Sequence, residues 1–227
     1  MSDRPTISKT RFIGGCQCAR RLWLETFRSE LAAAPDFQTR ERFGLGTQFG
    51  VLAREHYPGG TLIGATQNAA ARRATDEALS DAFVPAIYEA ALQHEDVLVR
   101  ADILVRAGLG SWDLIEVKSV RNAREVFVLD LALQYWVARG AGVRVGKAGL
   151  LLLAEGASLE NMDADPAGLF AFEDLTGECE RRLPEIAERV AFFHEVLAGR
   201  YAPDVPMGPH CREPYECPFV AHCSLQR

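Results

Sequence analysis

The sequence has no long apolar run. Its longest, Leu150 to Ala154, falls far short of the ~20 residues that cross a bilayer. The opening residues, Met1-Ser2-Asp3-Arg4-Pro5, are polar and lack the apolar stretch of a signal peptide. A cytoplasmic protein without a membrane partner is therefore expected. Positive charge is also in deficit: 25 Lys and Arg against 31 Asp and Glu leave a net −6. That excludes a coat binding nucleic acid by bulk charge, but not a local basic groove, because steering follows charge distribution. Lysine is scarce, with only Lys9, Lys118 and Lys147. Internal repeats and low-complexity tracts are missing as well. What the chain does have is 48% hydrophobic residues over 227 positions, enough to build a core and to exclude a disordered or fibrous chain. Its length fits one domain with additions.

Residues 8–26 carry Phe12, Ile13, Leu22, Trp23 and Leu24 and suggest one short helix with Arg20 and Arg21. A loop from residue 29 leads into a helix running through Phe49, Leu52 and Ala53 to the stop at Pro58-Gly59-Gly60. Alanine-rich residues 66–79 suggest another helix. Residues 83–91, 97–105 and 112–120 read as strands, with a turn at 107–111 between the last two. A helix over 124–139 closes at Gly140, and 147–153 reads as a buried strand. A long amphipathic helix over 173–197 contains Pro184, which either kinks it or starts its second half. The central order strand, strand, strand, helix, strand predicts an α/β core. It divides the single domain 1–227 into a helical part (1–80, with Cys18), a core (81–160) and a C-terminal helix with a cysteine-rich tail (161–227).

Six cysteines would suggest disulfides in a secreted chain, but nothing here indicates secretion. Cys211, Cys217 and Cys223 crowd a short tail containing Pro209, Pro214 and Pro218. Such a tail has little core of its own, so the thiols read as metal ligands that supply the missing cross-link.

A second constellation is acidic. Glu116 and Lys118, two apart on a strand, share one face. The turn at 107–111 brings Asp102 beside them if the two strands are antiparallel neighbours. Carboxylates supply hard oxygen ligands for Mg²⁺ or Mn²⁺, and a bound cation polarises phosphoryl oxygens and water. Lys118 then orients that water or stabilises developing charge. Glu89 on the preceding strand is a candidate third ligand, the backbone carbonyl of Val117 a further one. Gln134 on the following helix can face the nucleophile or a nucleic-acid backbone. Spacing alone is equally compatible with an ordinary ion pair between Glu116 and Lys118.

Asp102, Glu116-Val117-Lys118 and Gln134, in this order, resemble the PD-(D/E)XK nuclease superfamily and its RecB-like branch. Cys18-Ala-Arg-Arg-Leu-Trp-Leu is similar to the cysteine-bearing helix of the iron–sulfur RecB-like nucleases, which include CRISPR-adaptation exonucleases and AddB-type nuclease domains. The resemblance runs from about Phe12 to Cys223. It implies a restriction-endonuclease-like core, a mixed sheet flanked by helices, with the two chain ends joined at a cysteine-ligated cluster. It places a [4Fe-4S] cluster on Cys18, Cys211, Cys217 and Cys223, and the wide C-x5-C spacing also favours a cluster over one zinc ion. Cys16 is the alternative fourth ligand. The implied activity is Mg²⁺- or Mn²⁺-dependent cleavage of DNA, on single strands or ends, an exonuclease rather than an endonuclease, within a DNA-repair or CRISPR-type assembly. Arg20, Arg21, Arg72, Arg73, Arg121 and Arg124 are candidate phosphate contacts. The chain departs from the family at Gly50, where a metal-binding histidine is usual, with His56 six residues on, and at Ala138, where a tyrosine is usual. The competing expectation is a DNA-binding or assembly module that keeps the fold and cluster without turnover.

Overall fold

Apolar residues on both sides of consecutive strands demand cover on both sheet faces, and helices supply it. The computed structural model describes residues 5–108, 110–159 and 168–225. The polar residues 1–4, the turn residue Leu109 and the start of the expected C-terminal part, 161–167, lie outside them. In chain order the elements are β1 (Ile7–Ser8), α1 (Lys9–Gln17), α2 (Ala19–Phe27), α3 (Phe37–His56), β2 (Thr61–Leu62), α4 (Asn68–Ser80), β3 (Ala86–His94), β4 (Val97–Arg106), β5 (Trp112–Lys118), α5 (Glu125–Gly140), β6 (Val145–Leu153), β7 (Phe170–Asp174), α6 (Thr176–Ala198) and α7 (Val220–Ser224). One mixed sheet runs β2-β3-β4-β5-β6-β7, with β1 alongside β4. β3–β4, β4–β5 and β6–β7 are antiparallel, whereas β1–β4, β2–β3 and β5–β6 are parallel. The protein is thus a mixed α/β fold with a central mixed sheet flanked by helices.

α5 lies in the main core, buried along its length from Phe127 to Ala138. Its apolar surface on every side suits a helix enclosed between the sheet and α6. Leu104, Leu114, Leu150 and Leu152 meet it from the sheet, and Phe193 of α6 stacks edge-on against Phe12 of α1 at 5.4 Å. The opposite sheet face is smaller: Ile103, Ile115 and Leu151 pack with Ala53 of α3.

Four differences from the sequence expectation have local causes. The expected helix over 8–26 is two helices, broken at Cys18, which is extended at φ −162° and ψ 122°. Its N–H closes α1 on the Gly14 carbonyl, and its own carbonyl accepts from Leu22 to start α2. The long C-terminal helix starts at Thr176, not 173, because Phe170–Asp174 pairs with β6 as an exposed edge strand. Pro184 lies inside an uninterrupted α6. The two-residue strands β1 and β2 were not expected at all.

Inward and outward alternation slips at one place in both β3 and β4. Val97, Val99, Ala101 and Leu104 share the main core, but Ile103 joins the opposite one. In β3, Ile87 and Ala90 lie in the main core while Tyr88 faces the other way. The slip falls at Glu89, which has a left-handed φ of 56°, and Asp102 on the neighbouring strand. For a non-glycine residue that conformation is uncommon and costs of order 1–3 kcal/mol.

Candidate metal and phosphodiester site

The alternation of β5 decides which face the acids occupy. Trp112 and Leu114 lie in the main core, so Glu116 and Lys118 follow on the same face, beneath α5. Ile103↔Ile115 is the registered pair next to them in β4 and β5, and continuing it sets Asp102 opposite Glu116. α5 adds Asp130 and Gln134, one helical turn apart on one face. β1, paired with β4, delivers Lys9 at the start of α1, where Ser8 caps the helix by accepting from the Arg11 N–H.

These six side chains form one network. Glu116 is 1% exposed and Gln134 is fully buried. Lys118 Nζ donates to Glu116 Oε1 at 2.6 Å and to Asp130 Oδ2 at 3.0 Å. Gln134 Nε2 donates to Glu116 Oε2 at 2.8 Å and reaches Asp130 Oδ1 at 3.3 Å. Lys9 Nζ bridges both Glu116 oxygens at 2.9 and 3.1 Å, with Asp130 at 3.8 Å and Asp102 at 4.0 Å. Asp102 Oδ2 accepts the Val117 N–H at 2.8 Å.

The electrostatics split the three carboxyls. Burial pushes Glu116 up, but the Lys118 and Lys9 ammonium groups and the Gln134 amide overcome it and hold this carboxyl well below its usual range. Asp102 moves the other way: desolvation and the neighbouring Glu116 charge raise it to about 7. Asp130 is raised for the same two reasons. Lys9 is disfavoured by burial, yet Glu116, Asp130 and Asp102 together raise it well above its ordinary value.

Asp102, Glu116, Lys118 and Gln134 are therefore brought together as the sequence expects. Val117, between Glu116 and Lys118, donates its N–H to Asp102. Glu89 is not brought in: its carboxylate pairs with Arg54 of α3 at 2.8 Å, because the left-handed turn at that residue directs it there. Gly50 faces open space, a Cβ there meeting nothing within 4 Å. His56 ends α3 against the rings of Tyr57 and Phe170 and lies outside the network. Lys9 and Asp130 were missed. Asp130 had a signal, since Asp130 and Gln134 are the polar pair at helical spacing in an otherwise apolar stretch.

Among the described residues, no three His, Cys, Asp or Glu side chains converge as a metal-holding group. In the acidic network two ammonium groups stand among the carboxylates. The donor set still suits a hard divalent ion, being all oxygen. One buried atom of the network also has no partner: Gln134 Oε1 accepts nothing. A bound water is the kind of group that would complete it.

A second candidate site lies at the chain ends. Cys18, Cys211, Cys217 and Cys223 line one hollow with Arg20, Arg21 and Phe219. Burial pushes the Cys217 thiol up, while Arg21 pulls it down and Cys18 and Cys223 push it up again. Cys223 is raised by burial and lowered by Arg20. Arg20 and Arg21 thus stand beside the thiols, and Arg21 also pairs with Glu25 at 2.7 Å. Their charge suits an anionic thiolate cluster. Cys16 lies apart beside Arg189 of α6, its thiol raised to about 11 by burial. Of the other arginines, Arg121 donates to the Ala154 and Ala157 carbonyls at 2.6 and 2.5 Å. Arg72, Arg73 and Arg124 are exposed.

No protein-family model matches this chain, and no curated protein does. Among solved structures it is similar to one titled "Crystal structure of SSO0001", at 15% identity and a TM-score of 0.45, covering 100% of this chain and 89% of that one. No helix among the described residues is long and apolar enough to cross a membrane.

Proposed function

We propose that the chain is a Mg²⁺- or Mn²⁺-dependent nuclease of the RecB-like PD-(D/E)XK type, acting on DNA single strands or ends. A [4Fe-4S] cluster held by Cys18, Cys211, Cys217 and Cys223 would clasp its two ends. The observation that carries the reading is the convergence of Asp102 and Glu116 with Lys118 on one sheet face, under a helix that adds Gln134. Asp102 and Glu116 are the residues that would hold the divalent ion. When bound, such an ion withdraws charge from a phosphoryl group and eases loss of a proton from water. Lys118 keeps its proton and can donate to an oxygen that gains charge as the phosphodiester is attacked. Gln134 fixes Glu116 through its amide N–H and leaves Oε1 to orient a water. The Val117 N–H holds the Asp102 carboxylate at the strand edge.

Degradation of labelled single-stranded DNA with Mn²⁺ tests this. Wild type should cut, and Lys118→Ala should lose at least a hundredfold in rate while still binding Mn²⁺. Equal rates for the two would remove Lys118 from the chemistry. One observation favours the second reading, a DNA-binding or assembly module without turnover: Lys9 places a second ammonium inside the carboxylate cluster. Stoichiometric DNA binding with no metal-dependent cleavage would select it.

A further inference from the structure

Glu116 has no lone pair to spare. Its Oε1 takes Lys118 at 2.6 Å and Lys9 at 2.9 Å, and its Oε2 takes Gln134 at 2.8 Å and Lys9 at 3.1 Å. A carboxylate accepts about four such contacts, so a further cation can reach this one only by displacing a donor. Gln134 is fully buried on α5 and has no way out. Lys118 is held by two acids, Glu116 and Asp130, and its ammonium lies 5.2 Å from the Phe127 ring. Lys9 hydrogen-bonds to Glu116 alone, with Asp102 and Asp130 at 4.0 and 3.8 Å. Its side chain is 25% exposed against 22% for Lys118, so both have a route outward, but Lys9 has no hydrogen bond to a second acid to give up.

We propose that Lys9 is the resident counter-ion of the carboxylate cluster, and that a divalent cation enters by exchanging with its ammonium. The inference rests on the reading that Asp102 and Glu116 hold such an ion. Lys9 touches all three acids at ion-pair distance, as a bound cation would, and neutralises them when none is present. Glu116 and Asp130 are buried and Asp102 is partly so, and Lys118 alone would leave part of their charge uncompensated, a costly arrangement away from water. The exchange makes the site weak for metal yet stable without it. It also sets Lys9 free, as a mobile positive charge at the rim, whenever an ion is held.

Titration calorimetry with Mn²⁺ on the intact protein tests the exchange. Lys9→Met, which keeps the length and removes the charge, should bind Mn²⁺ at least tenfold more tightly than wild type. Lys9→Arg, whose guanidinium still pairs with carboxylates, should bind no more tightly than wild type. Equal affinity for wild type and Lys9→Met overturns the inference while leaving the metal reading in place. No Mn²⁺ binding by any of the three defeats that reading, and the exchange with it. A measurement on wild type alone guards against a variant that does not fold, because the chain has only three lysines. Saturating Mn²⁺ should speed acetylation of Lys9 several-fold, read by peptide mass spectrometry, and leave Lys147, 61% exposed in its side chain, unchanged. A Lys9 rate unmoved by Mn²⁺ overturns the exchange.

Discussion

Asp102 and Glu116 are neighbours across one strand pair, yet their environments push them in opposite directions. Two lysines and an amide outweigh burial at Glu116; at Asp102 burial and the repulsion of Glu116 itself outweigh the same lysines and the Val117 N–H. The folded chain therefore holds a proton on Asp102 up to about 7, whereas the unfolded chain releases it near the ordinary 3.8. Between those values the folded state binds more protons, so this group makes stability fall as pH rises. A shift of that size corresponds to about 4 kcal/mol undamped. With the side chain 28% exposed, about 1–2 kcal/mol is a sounder expectation. Asp102→Asn keeps an acceptor for the Val117 N–H and cannot ionise. Its stability in chelator should gain on wild type from pH 4 to pH 7, measured by urea titration, and parallel curves would contradict the assignment. At this scale the sequence was partly legible. The shared face of Glu116 and Lys118 reads directly from the strand period, whereas Asp102, at the slip in β4, follows from the antiparallel pairing and Gln134 from the family resemblance. Glu89 misled because period-two reasoning assumes regular backbone, and its φ of 56° breaks the period at that residue. Lys9 was illegible because a two-residue strand, β1, positions it, and two residues carry no periodicity.

Among the elements, long buried ones were readable and short or exposed ones were not. β3 to β6 and α5 have continuous apolar patterns, so their existence follows from burial. β7 is exposed along most of its length and looks like the approach to a helix. The break between α1 and α2 follows the Gly14-Gly15 pair, which itself stays helical; the chain turns at Cys18, and the tail meets it there. Gln17, the last residue of α1, donates through Nε2 to the His210 carbonyl at 2.6 Å and the Tyr215 carbonyl at 2.8 Å. Trp23 Nε1 donates to Gly199 at 3.0 Å, and the Ala33 N–H to Pro218 at 2.8 Å. Leu24, Cys217 and Phe219 close a small apolar cluster beneath. Each hydrogen bond contributes about 1 kcal/mol net. Gln17→Ala should therefore loosen the tail locally by about 1–2 kcal/mol. Amide exchange over 209–223 should quicken, with exchange in β4 and β5 unchanged. Uniform quickening would mean that the tail is part of one cooperative unit with the sheet.

Over the whole molecule the two candidate sites share the N-terminal helices. α1 begins at Lys9 in the acidic network and is capped by Cys18, which lines the cysteine hollow with the tail. A group ligated there would close a loop from residue 18 to residue 223, nearly the full chain. In the chain-entropy view, a cross-link over that span removes about 5 kcal/mol of unfolded-state freedom. For a chain of this size, each kcal/mol moves the melting temperature by about 2–4 °C. Protein purified without oxygen should be brown and contain about four irons, and stripping the iron should lower its melting temperature by about 10–20 °C. The same geometry separates the two N-terminal thiols. Cys18 lines the hollow, while Cys16 sits beside Arg189 against α6. Cys18→Ser should lose both the colour and the added stability, and Cys16→Ser should keep both. Colourless wild-type protein with one zinc would replace the cluster by a single ion, and equal behaviour of the two variants would remove Cys18 from the clasp.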